Sequence, residues 1–182
     1  MRKMGIVMMI AVAFGVALGL NSCKKNDSPN RVTGSNKSAV IIEKLNSWFD
    51  KHKTPGLPNK AANVELLKKN LDFSSLRVEN LNEKQFVMIP IRDELLRIKK
   101  YDDKTIGNLL VLVDKAGNIE KANIVLFKPK STPVLALPEY TFQSIYNSKK
   151  VDVDGQFKFL NISGDFIFSL GYDKGKPVSI GR

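Results

Sequence analysis

The stretch Asn108–Lys128, NLLVLVDKAGNIEKANIVLFK, constrains the fold more than any other part of the chain. Two apolar runs, Leu109–Val113 and Ile119–Phe127, flank the polar DKAGN. Runs rich in branched aliphatic residues, separated by a short connection that contains glycine, predict a β-hairpin. An isolated hairpin is marginal in water and needs further strands or a helix to cover it. The neighbouring sequence offers both. Gln85–Arg92, QFVMIPIR, predicts a further strand, with Pro90 pointing to an edge position or a bulge because proline has no N–H for the ladder. Ser75–Glu79 predicts a weak strand. The closing GQFKFLNISGDFIFSLGYDKGKPVSI predicts a meander turning at Ser163-Gly164 and at Asp173-Lys174-Gly175.

Before residue 75 the apolar period changes. Val40, Ile41, Leu45, Trp48 and Phe49 recur at helical spacing, which predicts an amphipathic helix over Ala39–His52 with Ser38 as its N-cap. TPGLPNK reads as a turn, and AANVELLKKNL as a second short helix capped by Asn59. LPEYTFQSIYNSKK reads as a short helix or turn carrying Tyr140, Phe142, Ile145 and Tyr146. Helices first and strands afterwards give an α+β domain: one N-terminal amphipathic helix, or two, packed on an antiparallel sheet of five to seven strands. Trp48 and Phe49 are expected against one face of that sheet.

The first 22 residues belong to a different kind of segment. Arg2 and Lys3 precede Met4–Leu20, MGIVMMIAVAFGVALGL, which has no charged residue. A basic start, an apolar run and small residues after it form an export signal. The run is at the short limit for a membrane-spanning helix, which needs about 20 apolar residues. A retained anchor helix is the alternative. Leu20-Asn21-Ser22-Cys23 resembles the bacterial lipobox, with Asn21 in place of the usual Ala, Ser or Thr. The resemblance implies cleavage between Ser22 and Cys23, diacylglycerol on the Cys23 sulfur and an N-acyl lipid on the new amino group. A thiolate is nucleophilic enough to accept that lipid. Two or more acyl chains hold a protein stably to a bilayer where one does not. Cys23 is the only cysteine, so the domain has no intramolecular disulfide; a buried free thiol or an intermolecular disulfide is the alternative for Cys23.

The organisation that follows is a lipoprotein signal peptide over 1–22, a lipidated cysteine and flexible tether over 23–37, and one α+β domain over 38–182. The tether Lys24–Lys37, KKNDSPNRVTGSNK, could hold the domain roughly 45 Å from the lipid at about 3.3 Å per residue. Without Arg2 and Lys3, 27 Lys and Arg face 18 Asp and Glu. A basic exported protein is drawn to anionic surfaces: lipid head groups, lipopolysaccharide or acidic glycans. Nucleic acid is not expected as a partner. The lysines are dispersed and form no arginine-rich run, which suits a merely solvated surface better. Lys24 after the cysteine avoids the aspartate linked to inner-membrane retention and points to the outer membrane; Asp27 alone makes a poor acidic signal for surface display, so the periplasmic or surface face stays open.

Three stretches, SCKK after the apolar run, LNSWFDKHK on the first helix and the closing GQFKFLNISGDFIFSLGYDKGKP, resemble a group of exported Bacteroidota lipoproteins. The resemblance spans most of the mature chain and implies export, lipidation and the fold class. No catalytic residues come with it.

The residues themselves offer little chemistry. His52, the only histidine, stands between Lys51 and Lys53 at a helix end, where positive charge is favourable, and has no nucleophile nearby in sequence. One histidine and one cysteine make a poor zinc set. DVDGQ, Asp152–Gln156, has the start of a calcium loop without the distal acidic ligands and reads better as an Asp-Gly turn. Asp93-Glu94 and Asp102-Asp103 read as loop charges at an exposed sheet end. Gly-x-Ser-x-Gly, Gly-x-Gly-x-x-Gly and the P-loop are absent, and Ser74 and Ser75 have no motif around them. The one suggestive pattern is aromatic. Phe157 and Phe159 share a face of their strand, and Phe166, Phe168 and Tyr172 share a face of the next. Exposed, such a row could stack on a sugar or a peptide; buried, it is core. The expected function is a lipid-anchored cell-envelope protein with a non-catalytic binding or structural role and no cofactor. The alternatives are a glycan- or peptide-binding module and an envelope-polymer hydrolase.

Overall fold

Seven antiparallel strands follow one another across one sheet in the order in which the chain makes them. A computed structural model describes residues 35–52, 58–81, 84–131, 137–138, 141–146 and 150–181. The strands are β1 (Arg77–Leu81), β2 (Lys84–Pro90), β3 (Ile106–Val113), β4 (Ile119–Pro129), β5 (Gly155–Leu160), β6 (Phe166–Asp173) and β7 (Lys176–Gly181). Helices α1 (Ser35–Lys51) and α2 (Pro58–Lys69) precede them; α3 (Asp93–Ile98) lies between β2 and β3, and α4 (Thr141–Tyr146) between β4 and β5. The α+β class and the antiparallel sheet are as the sequence predicts. The first helix starts at Ser35, inside the stretch read as tether, and the second starts at Pro58, so Asn59 lies within it rather than capping it. Proline suits a first helical position, where the N–H would have no partner anyway.

Cross-strand partners share a face of a sheet, so the register sorts the side chains into two layers. One face carries the rows Val78, Val87, Val111, Ala122 and Ile89, Leu109, Ile124, Leu160. Leu45 and Phe49 of α1, Val64 and Leu67 of α2, and Leu95 and Leu96 of α3 belong to the same aliphatic cluster. Trp48 is only partly buried at its margin, edge-on to Phe49 at 5.9 Å. The opposite face carries Ile106, Phe127, Phe157, Leu170 and Val125, Phe159, Phe168. Leu137, Phe142, Val151 and Val153, all from the β4–β5 connection, join that aromatic cluster.

Two sequence expectations fail for identifiable reasons. Pro90 is not on an edge strand, because β2 runs between β1 and β3. Its carbonyl accepts the Asp72 N–H at 2.8 Å. The N and C=O of one strand residue point the same way, so the missing donor faces Asp72, whose carbonyl accepts the Ser75 N–H at 3.3 Å instead. Asp93 and Glu94 are not loop charges: they open α3, where carboxylates favour the positive end of a helix.

The helices are tied to the turns at one end of the sheet. Lys44 Nζ donates to the Gly117 carbonyl in the β3–β4 turn at 2.7 Å, and Lys60 pairs with Asp165 in the β5–β6 turn at 2.8 Å. Both turns hold themselves together: Asp114 accepts the Asn118 N–H, and Asn161 Oδ1 accepts the N–H groups of Ser163 and Asp165.

A candidate ligand cleft between two helices and the sheet

Helix α3 is short, and its end determines what lies beside it. Lys100 has a positive φ of 58°. Its N–H donates to the Arg97 carbonyl, and the Tyr101 N–H reaches back to the Leu96 carbonyl at 3.0 Å. That is the paired 6→1 and 5→2 hydrogen bonding of a Schellman ending. It folds Tyr101 back beside Leu96 while Lys99 closes the helix. On α2, Asn63 and Leu67 stand four residues apart and so share a helical face.

Between these two helices and the sheet lies a cleft of about 120 Å³. Leu67, Leu95 and Leu96 form its helical walls, and Ile124, Leu126 and Leu160 its sheet floor. Ile91 and Ile162 close the ends; Asn63, Lys99, Tyr101, Ser163 and Gly164 form a polar rim. The rim is pre-arranged. Asn63 Nδ2 donates to the Ser163 carbonyl at 3.1 Å, and Asn63 Oδ1 accepts from Lys99 Nζ at 2.8 Å. One amide thus fixes both the lysine and the turn. Lys99 has no carboxylate partner among the described residues, and two of its three ammonium donors remain available. Burial raises the Tyr101 hydroxyl above its ordinary pKa, so it stays protonated and able to donate. The Lys60 ammonium holds the Asp165 carboxyl below its usual value at the neighbouring turn.

The residues that sequence reasoning singled out lie elsewhere. Ser22 and Cys23 are outside the described residues. Phe157 is fully buried, 0% exposed, and Phe159 and Tyr172 are both 6% exposed. The Phe157 ring packs against Phe127, Phe142 and Tyr172, with centroids 4.6, 6.2 and 5.8 Å away. Phe168 is half-buried and stacked on Phe159 at 4.3 Å. These side chains are core, and stacking on a ligand is not open to the buried three. Phe166 is 51% exposed but leaves the row. The β5–β6 register shifts so that Phe166 pairs with Leu160, on the aliphatic face, and not with the aromatic partners of Phe168. The covering of the aromatic face by Leu137, Phe142, Val151 and Val153 is the physical reason that the predicted row is interior.

His52 stacks on Trp48 at 3.9 Å, with Nδ1 2.8 Å from the Trp48 carbonyl oxygen. Asp102 pairs with Lys128 at 2.9 Å, and its carboxyl is held below the usual range chiefly by the Lys104 N–H. Neither it nor Asp93, Glu94 or Asp103 lines the cleft. Asp154 accepts the Gly175 N–H at 3.0 Å and so clamps the β6–β7 turn; Gly155 next to it opens β5, and the stretch before it has a bend at Asp152 in place of the Asp-Gly turn read from the sequence. Lys150, Asp152, Asp154 and Lys174 surround a shallower hollow there, with charges that balance. Among the described residues no three His, Cys, Asp or Glu side chains are grouped as metal ligands, and no helix is long and apolar enough to cross a membrane. Sequence reasoning missed Asn63, Lys99, Tyr101 and Ser163. Each is an ordinary surface residue type, and Asn63 and Ser163 are 100 positions apart.

No family model, curated protein or solved structure matches this chain.

Proposed function

We propose that the protein is a lipid-anchored component of the bacterial cell envelope, held to the outer membrane through Cys23, whose domain serves a non-catalytic binding role. The observation that carries this reading is the sequence Leu20-Asn21-Ser22-Cys23 placed directly after the sixteen uncharged residues Met4–Gly19 and ahead of a polar tether. The resemblance to exported Bacteroidota lipoproteins supports it. In this reading α1 couples the anchor to the domain, because Leu45 and Phe49 tie it to the aliphatic side of the sheet. With α1 starting at Ser35, the tether 24–34 reaches roughly 35 Å at about 3.3 Å per residue. The helix-side cleft supports the binding role: a concave apolar site with a few convergent polar groups is the usual form of a small-ligand site. Glycan or peptide stacking on the terminal aromatics has lost its support with the burial of Phe157, Phe159 and Tyr172. A polymer-hydrolase reading has none in the cleft, whose rim carries an amide, an ammonium and hydroxyls rather than paired carboxylates.

The test is Cys23→Ser in the native host. The wild-type chain is expected to partition into detergent and to incorporate labelled fatty acid, and the variant to do neither. A variant that keeps both properties would falsify the anchor. Protease treatment of intact cells then distinguishes a surface-facing domain, which is cut, from a periplasmic one.

A further inference from the structure

The aliphatic cleft has the shape and charge of a site for one kind of molecule. Its volume, about 120 Å³, is close to that of an apolar cavity of about 150 Å³ that accommodates benzene. A tail of about six carbons fills a space of that size, and the further carbons of a longer chain would lie outside it. The walls contacting that tail are Leu, Ile and the flank of Tyr101, with no buried charge. At the mouth stands a single ammonium, Lys99, oriented by Asn63 and lacking a carboxylate partner among the described residues. One pre-positioned cation beside a neutral hydroxyl and an amide matches a monoanion; charge-assisted bonds of this kind are the strong ones. A dianionic phosphate would be left with one charge unmatched, since Lys99 is the one cation in the lining.

We infer that the cleft binds a monocarboxylate with a short apolar chain, of the hexanoate class, with the chain against Leu67, Leu96 and Leu160 and the carboxylate on Lys99. The inference deepens the binding half of the proposed function and does not depend on the lipid at Cys23. Lys99 selects the head group, Asn63 positions Lys99 through its Oδ1, and Tyr101 supplies a second donor beside the carboxylate.

The experiment is a calorimetric titration of the full chain in lipid nanodiscs with hexanoate, hexan-1-ol and hexylamine, with empty nanodiscs subtracted. Methyl NMR of Leu67, Leu96 and Leu160 reports where the ligand sits. Eight heavy atoms set an expected Kd on the order of 0.1–1 mM for hexanoate. Hexan-1-ol is expected to bind about tenfold more weakly and hexylamine not to saturate. Lys99→Gln, at an exposed position, is expected to keep the fold and weaken hexanoate about tenfold or more, while Lys99→Arg retains most of the affinity. The methyl shifts of Leu96 and Leu160 are expected to move with hexanoate in the wild type. Equal binding of hexylamine and hexanoate, hexanoate binding unchanged in Lys99→Gln, shifts confined to other methyls, or no saturable heat up to about ten times the expected Kd each overturn the inference. Tighter binding of an N-acetylated Gly-Leu dipeptide with a free C-terminus also overturns it, since the ligand class is then a peptide end. Loss of membrane partition in Cys23→Ser leaves this result untouched, so the anchor and the ligand can fail separately.

Discussion

The two faces of the sheet are filled by different chemistry and covered by different kinds of segment. The helix side is Val, Leu and Ile against three helices, and it leaves the cleft under Lys99. The other side is a run of interlocked aromatic rings, Phe127, Phe157, Phe142 and Tyr172, capped by one connection between strands. A helix laid on a twisted sheet touches it along a stripe, and short helices such as α3 leave gaps at their ends. The difference sets a core of interlocked rings against an aliphatic core that carries a cleft at the end of a short helix.

The sharpest way to break this contrast is to remove one side chain from each face. Phe157→Ala is expected to cost about 3–5 kcal/mol, because the ring is fully enclosed and its neighbours cannot collapse onto the space. Leu160→Ala, at the floor of the cleft, is expected near the lower end of the Leu→Ala range, about 2–3 kcal/mol, since part of its surroundings is already open. Urea unfolding followed by the fluorescence of Trp48 measures both, and equal costs would remove the distinction between the faces.

A gain is expected from a polar side chain buried on the aromatic face. Asn108 is 2% exposed, pairs across strands with Pro90 and Val125, and has an Nδ2 with no hydrogen-bond partner. Asn108→Leu removes an unsatisfied buried donor and is expected to stabilise by about 1–2 kcal/mol. A loss of stability instead would show that a bound water satisfies the amide.

On the cleft side, Lys100 occupies a left-handed conformation that favours glycine. Lys100→Gly is expected to stabilise by about 0.5–1 kcal/mol, less than the full strain because glycine loses more freedom on folding. It leaves Lys99 and Tyr101 in place, so hexanoate affinity is expected to stay unchanged while the melting temperature rises.

The smallest effect is electrostatic. Asp165 has its carboxyl lowered chiefly by the hydrogen bond from Lys60, and Asp114 by the Asn118 N–H. A folded value below the unfolded value, about 3.9 for aspartate, means that each contributes stability above that pH and loses it as pH falls through the folded value. The urea midpoint is therefore expected to decline as pH is lowered from about 5 to about 2. Asp165→Asn is expected to flatten part of that decline, and an unaltered slope would exclude Asp165 as a contributor.

Much of the fold is legible because a meander is built from local decisions. The Asp114–Asn118 turn and the Ser163-Gly164 turn are each closed by residues within a few positions of one another, whereas the Asp173–Gly175 turn is held by Asp154, 21 positions away. α3 was missed because its six residues are too short for a helical period to stand out, and its opening acids look like loop charges. The bulge that turns Phe166 away from Phe168 left no mark in the alternation either, since one extra residue in a strand reverses the expected face without changing the composition.

The sequence by itself determined the α+β class, the antiparallel pairing, the pattern of the leader and the position of the lone cysteine. Periodicity, turn chemistry and charge act over a few residues and can be read in order. Only the tertiary structure decided that the closing aromatics are interior and that Asn63, Lys99, Tyr101 and Ser163 meet around an apolar cleft. Those outcomes depend on which distant segment covers which face. That choice is made by packing over separations of up to a hundred residues, as between Asn63 and Ser163, for which no local signal exists.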